Sequence, residues 1–238
     1  MQGLTPDDVG GVLKSIEVDR GLFLSLNRRY RTGQTSFRQF CVDHGLAEKL
    51  PDRFPKLIGR SLYVHQEEAI LSILDGRTTI VSTGTGSGKT EAFLIPILDH
   101  CLQHRGSGVK ALIIYPMNAL ANDQVGRIEK ATADTEITWE LFVGSTDTRR
   151  RDQIRRNPPD ILVTNYVMLD WMLTRATDQP IFDASRDSLK YIVLDEIHTY
   201  RGNKATHLKY LLARLKSRFT GPLIQIGTSA TLQSKDIP

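Results

Sequence analysis

The sequence predicts an α/β fold: a mainly parallel sheet flanked by helices, with a small helical appendage at the N-terminus. Three observations lead there. Short apolar β-type runs recur along the chain, segments of helical spacing fill the gaps between them, and a glycine-rich turn joins the first run to the helix that follows. The runs lie at 78–83, 111–115, 138–143, 161–164, 191–194 and 223–226. Several, such as Ala111-Leu112-Ile113-Ile114-Tyr115, are apolar at nearly every position, as strands covered on both faces must be. Helical spacing occupies 88–104, 117–132, 147–156, 166–176 and 203–218. Ligands of such sheets gather beyond the carboxyl ends of the strands. Residues 1–60 read differently. Thr5-Pro6-Asp7-Asp8 has the capping hydroxyl, first-turn proline and acids of a helix start. Ser36 opens a second helix-like run to about Leu50, and Pro51 and Pro55 bracket a break. The expected division is a helical appendage over 1–60 and the α/β unit over 61–238.

Composition narrows the class. Of 238 residues, 40% are hydrophobic and 24% charged, which suits a water-soluble chain able to bury a core. No apolar stretch approaches the ~20 residues of a membrane span, and no basic-then-apolar leader opens the sequence. A cytoplasmic protein without membrane partners is therefore expected. Cys41 and Cys101 show no framework spacing, so reduced thiols are expected. His100, Cys101 and His104 share a helix-like segment, but no fourth ligand lies nearby, and the segment reads as a helix end. The net charge of +4 permits a polyanionic partner without demanding one.

The chemistry centres on Thr83-Gly84-Thr85-Gly86-Ser87-Gly88-Lys89-Thr90. A glycine-rich turn between strand and helix aims several backbone N–H groups into one concavity, and the helix N-terminus adds its positive dipole end. Such a loop holds polyphosphate, with Lys89 reaching the β- and γ-phosphates of ATP and the Thr90 hydroxyl ligating Mg²⁺. The strict pattern would place glycine where this chain has Thr83. A second feature, Asp195-Glu196, follows the apolar run Tyr191-Ile192-Val193-Leu194. At a strand end Asp195 can hold Mg²⁺ while Glu196 orients and deprotonates the attacking water.

At this point the chain resembles the superfamily 2 helicases of the DEAD/DEAH-box type, over about residues 61–238. Leu62-Tyr63-Val64-His65-Gln66 resembles the glutamine motif, in which Gln66 would read the adenine edge. Thr83 to Thr90 resembles motif I, which tolerates a non-glycine first position. The segment from Tyr115 and Pro116 through Asn118 to Gln124 resembles motif Ia, a nucleic-acid backbone contact. Gly144-Ser145-Thr146 and Thr164-Asn165 stand where further backbone contacts fall. Asp195-Glu196-Ile197-His198 is a DExH form of motif II, and Ser229-Ala230-Thr231 resembles motif III, which links the ATP site to strand binding. The resemblance implies a RecA-like lobe that hydrolyses ATP with Mg²⁺, and a second RecA-like lobe carrying arginine fingers worth ~10³–10⁵ in rate. It also implies that this piece alone hydrolyses ATP very slowly, and that it is cut from a longer polypeptide.

The strings Asp195 to Gly202 and Thr164 to Leu169 look most like bacterial DNA helicases of the mitomycin-repair type and of phage-defence systems. That implies single-stranded DNA as the partner, with subunits of a defence or repair complex as further partners. An RNA helicase and an ATP-gated binding module stay open as alternatives. Two basic clusters, Arg28-Arg29-Tyr30-Arg31 and Arg149-Arg150-Arg151 with Arg155-Arg156, are either phosphate contacts or solvated surface.

Overall fold

A computed structural model of the chain describes residues 30–230, except Ile58, Thr85 and the side chains of 118–123. The helix start at Thr5, Arg28-Arg29 and Thr231 lie outside the described residues. Six strands, β1 (Thr79–Ser82), β2 (Ala111–Tyr115), β3 (Trp139–Phe142), β4 (Ile161–Asn165), β5 (Tyr191–Leu194) and β6 (Ile224–Ser229), form one sheet in the order β1-β6-β5-β2-β4-β3. Every pairing is parallel. The helices are α1 (Phe37–Asp43), α2 (Val64–Leu74), α3 (Lys89–Gln103), α4 (Asn118–Thr132), α5 (Thr148–Arg156), α6 (Tyr166–Thr174), α7 (Gln179–Ala184) and α8 (Asn203–Lys216).

The central strands are apolar throughout because each face feeds a different core. Ala111, Ile113, Tyr115, Ile161, Val163, Tyr191 and Val193 join α2, α3 and α4 in one cluster. Their alternates Leu112, Ile114, Leu162 and Ile192 join α6, α7 and α8 in the other. No helix among the described residues is long and apolar enough to cross a membrane. Cys41 and Cys101 are buried and unpaired by disulfide.

Two elements differ from the sequence reading. β6 runs to Ser229 and not to Ile226, since Gly227, Thr228 and Ser229 pair with Ile80, Val81 and Ser82 of β1. These small residues carry no apolar signal, and space at Gly227 is tight: a Cβ there would meet two Ile197 side-chain carbons at 3.3 Å. The second difference is α7, whose six residues are too few for helical periodicity to register. It is preceded by a turn ending in the fully buried Asp178, which pairs with Arg155 at 2.7 Å.

The segment from Ser36 onward is woven into the first core. Ser36 caps α1 by accepting from the Gln39 amide, and the helix ends at Asp43, shorter than the run to Leu50 that the spacing predicts. Phe37, Phe40, Cys41, Leu50 and Phe54 are buried in the same cluster as Ile70, Ile73 and Leu94. Phe37 and Phe54 meet edge to face at 5.8 Å. The Ala47 amide donates to Asp99 Oδ1 of α3 at 2.7 Å. Phe37→Ala is expected to destabilise the chain by ~3–5 kcal/mol in denaturant unfolding, as for other buried phenylalanines. A loss below about 1 kcal/mol would mean that this segment packs as a dispensable attachment.

Candidate functional site

The glycine-rich loop leaves β1 at Ser82 and enters α3 at Lys89. Gly86 and Gly88 take φ of +74° and +78°, so the loop folds over on itself. A Cβ on Gly88 would lie 2.1 Å from Gln66 Nε2, so glycine is required there on two counts. Thr83 needs no such exemption, because it is not among the described residues with positive φ. Its hydroxyl instead lies 2.5 Å from Ser87 Oγ and staples the loop, while its amide donates to the Ser229 carbonyl at 3.2 Å. Lys89 Nζ donates to the carbonyls of Thr83 and Gly84 at 2.8 and 3.0 Å, which keeps the ammonium over the loop. The Thr90 hydroxyl donates to Gln124 Oε1 at 3.3 Å and accepts from Arg127 at 3.1 Å.

The carboxylates face this loop from β5. The Asp195 amide continues the ladder by donating to the Ile114 carbonyl at 3.0 Å. Glu196 then turns left-handed, with φ +49° and ψ +51°, and the chain leaves the sheet. Thr228 of β6 joins the pair: its hydroxyl donates to Asp195 Oδ1 and accepts from the Glu196 amide. Glu196 Oε2 lies 3.1 Å from His198 Nδ1 and accepts from the Ala230 amide at 3.4 Å. His198 Nδ1 is also 3.2 Å from Ser229 Oγ. Burial pushes the Asp195 carboxyl above the ordinary carboxylate range; the Thr228 hydrogen bond opposes that and the Glu196 charge adds to it.

Gly86 through Thr90 and the two carboxylates line one cleft of about 300 Å³. Thr90 and Asp195 thus line the same cleft. A hydroxyl and a carboxylate, with a lysine beside them, are a hard-oxygen donor set suited to a divalent cation carried by a phosphate chain. Thr85 lies outside the described residues.

Gln66 is buried on α2, its carbonyl accepting from the Tyr63 amide at 2.9 Å and its amide donating to the Gly88 carbonyl at 2.9 Å. One N–H and one lone pair of its side chain remain for other partners. His65 Nε2 donates to the Ser87 carbonyl at 2.9 Å, so neighbouring residues of α2 brace the same loop.

The candidate strand contacts gather elsewhere along the same sheet edge. Pro116 and Gly144 line a second cleft of about 340 Å³ together with Asn165 and Trp171. Thr164 is fully buried and its hydroxyl donates to the Phe142 carbonyl at 2.7 Å, so its side chain serves the sheet. Asn165 caps α6 by accepting from the Met168 amide at 2.8 Å. Asn118 begins α4. Of the arginines on α5, Arg150 pairs with Glu140, and Arg155 with Asp152 and Asp178. Arg151 donates to the Val143 and Gly144 carbonyls at 3.0 and 2.9 Å. The exposed Arg149 and Arg156 are left as the basic surface of this helix.

Thr228 is the residue that the sequence reading missed. The signal was present, as a polar residue beside Ser229 at the end of an apolar run, but alternation beyond Ile226 was too weak to extend the strand.

The raised Asp195 carboxyl gives a pH-dependent prediction for the chain without nucleotide or divalent cation. The unfolded chain ionises this group at the ordinary value, whereas the folded chain resists ionisation to higher pH. Ionised Asp195 therefore subtracts stability, an effect absent below the unfolded value and complete above the folded one. Asp195→Asn is expected to raise Tm at neutral pH, and the gap should close as pH falls below the ordinary carboxylate range. A lower Tm for the variant at neutral pH would contradict the assignment.

Comparison with known proteins fits this geometry. The DEAD/DEAH box helicase family profile matches residues 63–237. An uncharacterized ATP-dependent helicase of Methanocaldococcus jannaschii is 30% identical over 189 residues, covering 74% of this chain and 27% of that protein. The Druantia protein DruE of Escherichia coli is 25% identical, covering 72% of this chain and 16% of that one. The chain thus spans about a quarter or less of the length of these relatives. The solved structure of the DUF1998 helicase MrfA bound to DNA and AMPPNP is similar with a TM-score of 0.71 at 26% identity, over 96% of this chain and 31% of that one. The helicase Lhr of Mycobacterium smegmatis bound to ssDNA and AMP-PNP also gives 0.71 at 26% identity, over 80% and 25%. The sheet and its helices form a RecA-like helicase fold. The chain belongs to the DEAD/DEAH box helicases.

Proposed function

We propose that this chain is the first motor lobe of a cytoplasmic ATP-dependent DNA helicase or translocase. Joined to a second RecA-like lobe, it moves along single-stranded DNA. The observation that carries the reading is the convergence, at one sheet edge, of the phosphate loop, the Asp195-Glu196 pair and the Ser229-Ala230 end of β6. The preference for DNA draws on similar solved structures that hold DNA, and the repair or defence setting on the resemblance carried by Asp195 to Gly202 and Thr164 to Leu169.

When bound, ATP with Mg²⁺ supplies the phosphoryl group and the metal charge that neutralises its oxygens. In this reading Lys89 exchanges the Thr83 and Gly84 carbonyls for phosphate oxygens, and amides of the loop from Gly84 to Gly88 cradle the rest. The Thr90 hydroxyl, now bonded to Gln124 and Arg127, and the Asp195 carboxylate are the oxygen groups that would hold the metal. Glu196 orients the attacking water and takes its proton. Gln66 offers its remaining donor and acceptor to the adenine edge. His198 and Ser229 pass the state of Glu196 to β6, and Thr231 continues that link. Pro116, Asn118 and Gly144, with the backbone near Thr164, grip the strand without reading its sequence.

The test is steady-state ATPase activity of the full-length polypeptide with poly-dT, poly-U or no nucleic acid, with Lys89→Ala as control. Strong stimulation by poly-dT alone, abolished in the variant, is expected. Stimulation by poly-U alone would transfer the motor to RNA. Tight ATP binding without stimulation by either polymer would replace the motor with an ATP-gated binding module.

A further inference from the structure

Among the described residues, six large apolar side chains are exposed, and Met117, Val167 and Trp171 all line the cleft that holds Pro116 and Gly144. This concentration has a local cause in α6. Met168, Leu169, Met172 and Leu173 form the buried stripe of that helix, so the other flank would ordinarily be polar. Instead Val167 and Trp171, one turn apart, stay 46% and 49% exposed on it. The Arg175 guanidinium lies 4.5 Å from the Trp171 ring centroid and covers it, while the indole also borders the cleft. Across the cleft, Arg151 holds the Gly144 carbonyl. An apolar, aromatic cleft with a guanidinium on the indole that lines it suits a chain whose units are flat and apolar on their faces and anionic along their backbone.

We propose that this cleft takes a nucleobase of the bound single strand, stacked or wedged against Trp171 beside Met117 and Val167, with Arg175 fixing the indole and drawing the adjacent phosphate. The proposal rests on the nucleic-acid motor reading and adds base contact to a grip otherwise made through the backbone. Because every base has an apolar π-face, the contact strengthens binding without selecting sequence. A hydrophobic protein segment could fill the same space, and its presence there is the contrary outcome.

The experiment compares binding of the full-length polypeptide to two labelled strands of equal length, oligo-dT and an abasic strand with the same phosphates, by fluorescence anisotropy. The wild type is expected to bind oligo-dT about 5- to 100-fold more tightly than the abasic strand. Trp171→Ala should lower that ratio by at least about fivefold while leaving abasic binding unchanged, and Trp171→Phe should retain most of it. The indole is half exposed, and Tm of both variants checks that they fold. An unchanged ratio in Trp171→Ala overturns the base contact while leaving the motor reading intact. So does equal binding of the two strands by the wild type, or a loss of solubility in Trp171→Ala with the ratio unchanged. Failure of the wild type to bind either strand overturns both.

Discussion

The insertion of β6 between β1 and β5 is the constraint on which the site depends. β1 brings the phosphate loop and β5 brings the carboxylates, but the two strands do not pair with each other. Each pairs with β6 in parallel register, Ser82 beside Ser229 and Leu194 beside Gly227. With strands ~4.8 Å apart, this sets the backbones of β1 and β5 ~10 Å from one another. The strand that separates them also joins them. Thr83 donates to Ser229, Thr228 bonds both Asp195 and the Glu196 amide, and the Ala230 amide reaches the Glu196 carboxylate. Both walls of the cleft are thus fixed to one strand, and a shift of β6 would move both.

The cost of this arrangement is visible in the same residues. Asp195 resists ionisation through burial, Glu196 occupies left-handed backbone, and Lys89 is satisfied only by loop carbonyls. Each feature is unfavourable or provisional in the chain by itself. Stability lost at this edge is offset by the two cores behind it, where buried side chains from both sheet faces pack under the helices. Residues 37–54 add to that support from the far side of α2 and α3.

Much of this was legible in the sequence. Strands buried on both faces announce themselves as unbroken apolar runs, and five of the six lie within about one residue of where they were expected. The loop and the carboxylate pair were readable because their chemistry demands particular residue types at strand ends. What escaped was held by small or polar residues: the Gly227-Thr228-Ser229 extension of β6, and the short α7 over buried Asp178. Thr164 shows the converse, a residue selected by motif whose side chain the sheet consumes, while Val167 and Trp171 on the next helix form the exposed surface. Composition ranks such positions poorly, because exposure depends on which flank of a helix its neighbours cover.

The most direct test of this account removes one hydroxyl from the joining strand. Thr228→Val keeps the side-chain shape and the strand while deleting the group that holds Asp195 and receives the Glu196 amide. Single-turnover ATP hydrolysis by the full-length polypeptide is the measurement, with ATP affinity followed in parallel. The account predicts a fall in the chemical step on the order of 10²-fold, as for slight misplacement of reacting groups, with affinity changed little. Unchanged hydrolysis at unchanged affinity would show that β6 does not set the geometry of the carboxylates, and would contradict it.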